Sequence, residues 1–215
     1  MKGSQDFGFI TGIARRLVSL LGEFPSRAFI KRRVHRDVSE SPQMRSVTVD
    51  LYVCSWVLIE IICLWLCGKF SFWAGLSFVV TCVCFLRISE IFFTNLDIAI
   101  FSSDRLPVVA SAVRTLTLTL INYIELWLCF SGAYAANLGL LRCTNPCSQL
   151  NIWDALYFSG TTQLTIGYGD IVPVALGRAV ALAQGFFGYV FALLILSKLV
   201  GLVPSLRGLA PKDDK

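Results

Sequence analysis

Apolar positions along this chain fall into long blocks rather than into an alternating or short-period pattern. Four blocks approach the roughly 20 apolar residues needed to cross the hydrocarbon core of a bilayer. The first, Leu51–Cys67, is short and carries Glu60. The second begins near Phe70 and is clean to Leu86, where Arg87 and Glu90 interrupt it before Ile91-Phe92-Phe93. The third, Leu116–Leu138, contains Asn122 and Glu125, and the fourth, Ala179–Val203, is broken only by Gln184 and by Ser197-Lys198. Between the third and fourth lies a short amphipathic segment, Asn151–Gly160, followed by the polar, glycine-bearing run Thr161–Asp170. That stretch is too short to span and reads as re-entrant. Non-helical backbone survives at membrane depth only when it is buried in protein or lines a wet cavity, so this interruption is where function is expected.

Composition agrees with the blocks. Of 215 residues, 55% are hydrophobic and 15% charged, and the mean hydropathy is +0.68; soluble domains run at about 45–50% apolar and about 25% charged. An ordinary soluble protein and a disordered chain are both excluded. The first apolar stretch is interrupted by Arg15-Arg16, leaving Leu17–Leu21, which is not a secretory signal. A single histidine offers no basis for a histidine metal or acid–base site, and most cysteines lie inside apolar runs rather than in a zinc or disulfide spacing.

The net charge of +5 acquires a meaning from its placement. If the N-terminus is cytoplasmic and all four blocks cross, only Lys69, Arg142 and Arg178 of the 19 Lys and Arg fall outside. The positive-inside rule then predicts a multi-pass cell-membrane protein with both termini cytoplasmic and the re-entrant stretch entering from outside. The run Lys31-Arg32-Arg33-Val34-His35-Arg36 fits that topology signal, and no nucleic-acid partner is expected. Ile10, Ile13, Ala14, Leu17 and Leu21 recur at helical spacing with Arg15, Arg16 and Ser19 elsewhere on the wheel. Such a helix lies in the interface near anionic headgroups or packs as a soluble helix on its neighbours.

The run Thr162-Gln163-Leu164-Thr165-Ile166-Gly167-Tyr168-Gly169-Asp170 carries the chemistry. Alternating glycines permit positive φ, and an extended run that uses them can turn successive carbonyls to one side. Thr165 adds a hydroxyl oxygen to the same column. Several chains around an axis would stack these oxygens into rings able to replace the water around a cation, and neutral carbonyls bind an alkali ion weakly enough to release it. Asp170, just outside, would raise the local cation concentration. The segment before it supplies a short helix with Asp154 in its first turn, where a carboxylate suits the dipole, and with its C-terminal end directed inward. Trp153, Tyr157 and Phe158, with Tyr168, form an aromatic cuff around the loop or anchor at the interface.

Thr162-x-x-Thr165-x-Gly167-Tyr168-Gly169-Asp170, set between two spans and behind a short amphipathic helix, resembles the signature of the potassium channel superfamily. The resemblance covers the outer helix Leu116–Leu138, the pore helix, the filter and the inner helix Ala179–Val203. Together with the four apolar blocks, it implies an all-α membrane protein with four transmembrane helices per subunit, a re-entrant pore helix and a selectivity-filter loop, assembled as a homotetramer around a central pore. It implies that the carbonyls of Thr165, Ile166, Gly167 and Tyr168, with the Thr165 hydroxyl, hold potassium, and that Gly169 shapes the outer end. Potassium is then the permeant ion, with no cofactor, no catalytic residue and no enzymatic activity. Trp153, Asp154, Tyr157 and Thr162 would support the pore helix. Gln163-Leu164 is a less usual pair before such a filter.

The expected organisation is a basic arm with its amphipathic helix over 1–50, two peripheral helices over 51–101 and a cytoplasmic linker over 102–115. A pore domain over 116–203 and a short tail over 204–215 follow. Ser102-Ser103-Asp104 with Pro107 marks a turn in the linker. Gly185 and Gly188 flank Phe186-Phe187 in the inner helix and read either as a gating hinge, by resemblance, or as sites of close packing. Glu60 and Glu125 are intramembrane acids and functional candidates by default; Glu125, following Asn122-Tyr123, also reads as hydrogen-bonded structure. Arg87 and Glu90, one turn apart, are expected to pair, and the voltage-sensor pattern of a basic residue at every third position is absent. Cys143 and Cys147 in the external turn read as a disulfide or as two free thiols, and Cys63 and Cys67, on one helix face, as packing. Two further functions remain open: a less selective cation channel, and a membrane scaffold or regulatory subunit assembling with another pore-former.

Overall fold

The computed structural model describes residues 42–70, 74–101, 112–144 and 149–202. The amphipathic helix and basic run of the first 41 residues, the Ser102–Pro107 turn, Cys147 and the tail after residue 202 lie outside them. Helices α1 (Pro42–Lys69), α2 (Ala74–Phe101) and α3 (Ala112–Ala136) are followed by a 3₁₀ turn (Leu138–Leu140) and a short strand β1 (Leu141–Cys143). The chain continues through α4 (Ile152–Gln163), strand β2 (Ile171–Pro173) and α5 (Leu176–Leu202).

Four of these helices are long and apolar enough to cross a membrane, over Val47–Lys69, Ala74–Leu96, Val113–Ala136 and Leu176–Gly201. The protein is thus an all-α multi-pass membrane protein. The first span is longer than the hydropathy pattern predicts because α1 starts at Pro42, ahead of its apolar block. The second is not interrupted at Arg87 and Glu90; α2 runs through both without a break. Continuity there is possible because the two charges are neutralised inside the bundle rather than left to lipid. The third helix begins at Ala112, inside the stretch expected to be linker.

The outer helix α3 is the hub of the fold, packing against α1, α2, α4 and α5, whereas α1 and α2 touch each other little. Its buried face supplies Leu126, Cys129, Phe130 and Tyr134 to a core completed by Leu64, Val80, Cys84, Ile88, Phe158 and Phe191. Small residues let the helices approach: a Cβ on Gly132 would sit 3.0 Å from the Cys84 sulfur of α2. Large side chains point outward elsewhere, among them Leu58, Trp65, Phe78, Phe85, Leu182 and Leu196. Lipid or neighbouring subunits can cover such a surface; water cannot.

The peripheral helices are fastened to this hub by charge. Arg87 on α2 bonds Glu125 on α3 at 2.7 Å and Glu90 on its own helix at 3.1 Å. The Tyr52 hydroxyl of α1 donates to Glu90 at 2.6 Å, and the Trp56 ring lies 4.9 Å from the Arg87 guanidinium carbon. Arg87, Glu90 and Glu125 are all buried. The topology count above sets Arg87 among the cytoplasmic charges. The structure places it halfway along the second span in these ion pairs, so it carries no orientation signal.

Candidate pore loop

The loop between α3 and α5 is built from a capped short helix outward. Asn151 caps α4 by accepting from the N–H groups of Trp153 at 2.8 Å and Asp154 at 3.4 Å. Asp154 in turn accepts from the Asn151 N–H at 2.8 Å. This reciprocal capping box adds a fixed start to the dipole role expected of Asp154, and α4 runs on to Gln163, beyond the predicted Gly160.

At the other end of α4 the chain folds back on the last helical carbonyls. Leu164 N–H donates to the Gly160 carbonyl at 3.0 Å and Thr165 N–H to that of Thr162 at 3.1 Å. The Thr161 carbonyl accepts from Ile166 at 2.8 Å and from Gly167 at 3.4 Å. These bonds satisfy orphan carbonyls of the helix C-terminus and hold the beginning of the loop against it. The backbone then alternates. Thr165, Gly167 and Gly169 have φ of 56, 58 and 81°, and Ile166 and Tyr168 between them are not in the positive region. Positive φ is expected of the glycines, but Thr165 is a β-branched residue in a conformation such residues avoid. Among the described residues no hydrogen bond reaches the carbonyls of Thr165, Ile166, Gly167 or Tyr168. Residues 164–170 are exposed on the surface of the subunit.

The exit from the loop is strapped. Strands β1 and β2 pair antiparallel with Leu141 opposite Pro173, Arg142 opposite Val172 and Cys143 opposite Ile171. Beyond them, Thr144 gives its N–H to the Asp170 carbonyl at 2.9 Å and sets its hydroxyl 3.1 Å from the carbonyls of both Gly169 and Asp170. The Asp170 carboxylate accepts from the Ile171 N–H at 3.0 Å. Cys143, immediately before this strap, is disulfide-bonded. Gly177 at the start of α5 packs against the Leu140 carbonyl, where a Cβ would collide with the oxygen.

Behind the loop runs a belt of amides that hydropathy does not identify. The Gln163 amide donates to the Tyr123 carbonyl at 2.8 Å, and the Tyr123 hydroxyl donates to the Gln163 carbonyl at 3.3 Å. The Gln184 amide, buried on α5, donates to the Ser159 carbonyl at 2.9 Å and hydroxyl at 2.8 Å. Trp127 on α3 donates to the Leu156 carbonyl at 3.0 Å, and the Ser159 hydroxyl donates to the Trp127 carbonyl at 3.1 Å. The unusual Gln163 is thus a tie between α4 and the outer helix, and Gln184, a mere interruption in the apolar pattern, ties α4 to the inner helix.

The aromatic residues do not act as one cuff within the subunit. Tyr157 stacks on Tyr168 with rings nearly parallel at 5° and 6.3 Å apart. Phe158 instead turns inward to an edge contact with Tyr134 at 5.0 Å, and Trp153 is exposed. Thr162 contributes its carbonyl to the loop, as above. Gly188 lies where α5 crosses the end of α4, and a Cβ on it would sit 2.9 Å from the Gln163 carbonyl oxygen; one on Gly185 would meet nothing within 4 Å. The two intramembrane acids lie away from the loop. Glu125 is in the ion pair with Arg87, and Glu60 on α1 accepts from the Cys129 thiol at 3.1 Å while its second oxygen has no partner among the described residues. Cys63 and Cys67 are free thiols packed in or against the core. No cluster of His, Cys, Asp and Glu suited to a metal occurs among the described residues.

Residues 122–203, from within α3 to the end of α5, match the family model for ion channels. The chain is 45% identical over 47 residues to Protein LctB of Geobacillus stearothermophilus and 43% identical over 47 residues to Protein LctB of Bacillus caldotenax. In both cases the match takes in 22% of this chain and 35% of the relative, so the chain spans about a third of the length of the curated relatives it matches. No solved structure matches significantly. The helix–loop–helix architecture and the Thr165–Asp170 loop fall within residues 122–203, and this part of the chain is similar to ion channels.

Proposed function

We propose that four copies of this chain form a potassium-selective channel that conducts potassium passively, with both termini cytoplasmic in the cell membrane and the pore loop entering from outside. The observation that carries this reading is the alternating backbone of Thr165, Gly167 and Gly169, with the intervening carbonyls left without donors. Alternation of positive and negative φ directs successive carbonyls to one side. The oxygens of Thr165, Ile166, Gly167 and Tyr168, with the Thr165 hydroxyl, then form one edge of a column. One such edge cannot surround an ion. Four around an axis replace its hydration shell, and exposure of 164–170 on the isolated subunit fits a face turned toward that axis.

Neutral carbonyl oxygens suit an alkali cation held weakly enough to leave. The C-terminal end of α4 points its partial negative charge toward the inner side of the column, and Asp170 concentrates cations at the outer mouth. Amide ties from Gln163 and Gln184 fix the helix that carries the column.

The test is flux from purified protein alone, reconstituted in liposomes loaded with potassium and diluted into sodium. Uptake of a tracer cation driven by the potassium diffusion potential is the expected result. Equal permeation by sodium would instead assign a less selective cation channel. Flux that appears only after a partner protein is added would assign a regulatory subunit.

A further inference from the structure

A furrow of about 610 Å³ runs between the peripheral helix α1 and the outer helix α3, with no loop residue among its lining. That volume lies within the range of small-molecule sites. Its walls are apolar, with Val57 and Ile61 on one side and Leu118 and Ile121 on the other, and its polar residues gather at one end, where Asp50 and Arg114 meet. The Arg114 guanidinium lies 2.7 Å from the Asp50 carboxylate, and the two side chains remain 30% and 51% exposed.

Position in the membrane gives this polarity a direction. Helices α1 and α3 are separated by one span, so both begin at the same membrane face. Asp50 and Arg114 lie in the first turn of their respective spans, Val47–Lys69 and Val113–Ala136. Ile61 is three turns deeper than Asp50, roughly 16 Å at the helical rise. One leaflet of the hydrocarbon core is about half of the ~30 Å total. The furrow therefore has the depth of one leaflet, with a charged pair at headgroup level and apolar walls below it.

We infer that this furrow is a binding site for one membrane phospholipid with a zwitterionic headgroup, its acyl chain between α1 and α3, its phosphate at Arg114 and its ammonium at Asp50. A lone guanidinium would favour an anionic headgroup. Arg114 beside a partly exposed carboxylate presents both signs, and a phosphoethanolamine group carries the complementary two. The bound chain fills space between a peripheral helix and the outer helix of the pore, so the site joins the two halves of the subunit. Nothing in this assignment depends on which ion the pore conducts.

Native mass spectrometry of the full-length protein in detergent tests it. Phosphatidylethanolamine, phosphatidylglycerol and diacylglycerol of identical acyl chains are added in turn. The expected result is one phosphatidylethanolamine per subunit, retained in preference to the other two. Arg114→Gln should weaken that binding about tenfold, the scale of one charge-assisted hydrogen bond. Asp50→Asn should move the preference toward phosphatidylglycerol. Thr117→Phe, an exposed position on the furrow wall, should abolish retention, while Ile124→Phe, exposed on the same helix outside the furrow, should not. Three outcomes overturn the assignment: equal retention of diacylglycerol by the unsubstituted protein, unchanged lipid binding in Thr117→Phe, or a change in subunit number rather than in bound lipid in that variant.

Discussion

The loop between α4 and β2 and the contact between the peripheral helices and α3 both set polar groups among apolar spans, and they do so by opposite means. In the loop the polar groups are neutral backbone carbonyls, exposed on the subunit surface and without donors among the described residues. At the peripheral contact they are full charges, Arg87, Glu90 and Glu125, buried against one another and against Tyr52 and Trp56. Charges enclosed in this way are committed to each other and hold helices together. Carbonyls left open are available to something that passes. In the proposed channel the difference separates a fastening from a pathway, and substitutions should reveal it as two kinds of loss.

The largest effect is expected at the fastening. Arg87→Leu leaves Glu90 and Glu125 buried without a counter-ion, and breaking a buried pair in this way costs about 3–5 kcal/mol. Thermal unfolding in detergent should show a marked fall in midpoint, with partial recovery when Glu125→Leu is added. An unchanged midpoint in the single variant would mean that the ion pair does not hold the peripheral helices.

Next is the crossing of α5 over α4. Gly188→Ala puts a methyl group 2.9 Å from the Gln163 carbonyl, and overpacking of this kind costs about 1–3 kcal/mol. Flux in liposomes should fall sharply. Gly185→Ala, with open space around it, should fold at least as well as the unsubstituted protein. A reversed order of the two glycines would contradict the packing described for the end of α4.

A smaller effect is expected from Gln184→Leu, which removes the bonds to Ser159 from a buried site at about 1–3 kcal/mol. Hydrogen exchange should accelerate at the amides of 164–167 and stay unchanged in α1. Equal acceleration in both regions would show that the belt is not specific to the pore. The smallest is Thr144→Val, which removes the hydroxyl from Gly169 and Asp170 but keeps the N–H bond, at about 1 kcal/mol. Exchange at Ile171 and Val172 should rise modestly while α4 stays protected.

Much of this comparison could be read from the sequence on one side only. The loop was readable because its chemistry is local: Thr165, Gly167, Tyr168, Gly169 and Asp170 are consecutive or nearly so, and glycine spacing reports backbone conformation directly. Even there the positive φ of Thr165 was hidden, because it follows from bonds back to Thr161 and Thr162. The fastening was readable only in part. Arg87 and Glu90 announce themselves by one-turn spacing, but Glu125 lies 38 residues from Arg87, and no periodicity states which faces of α2 and α3 meet. Gln163 stood out only as part of an unusual pair before the loop, and Gln184 only as a break in an apolar run. Their partners, Tyr123 and Ser159, are set by how α3 and α5 clasp α4.

In the proposed channel, selectivity arises from the Thr165–Tyr168 carbonyls. Its most direct test is the reversal potential of purified channels in a planar bilayer with potassium on one side and sodium on the other. The expected current reverses far from zero, on the side set by potassium moving alone. A reversal potential near zero, with sodium and potassium carrying comparable current, would contradict it.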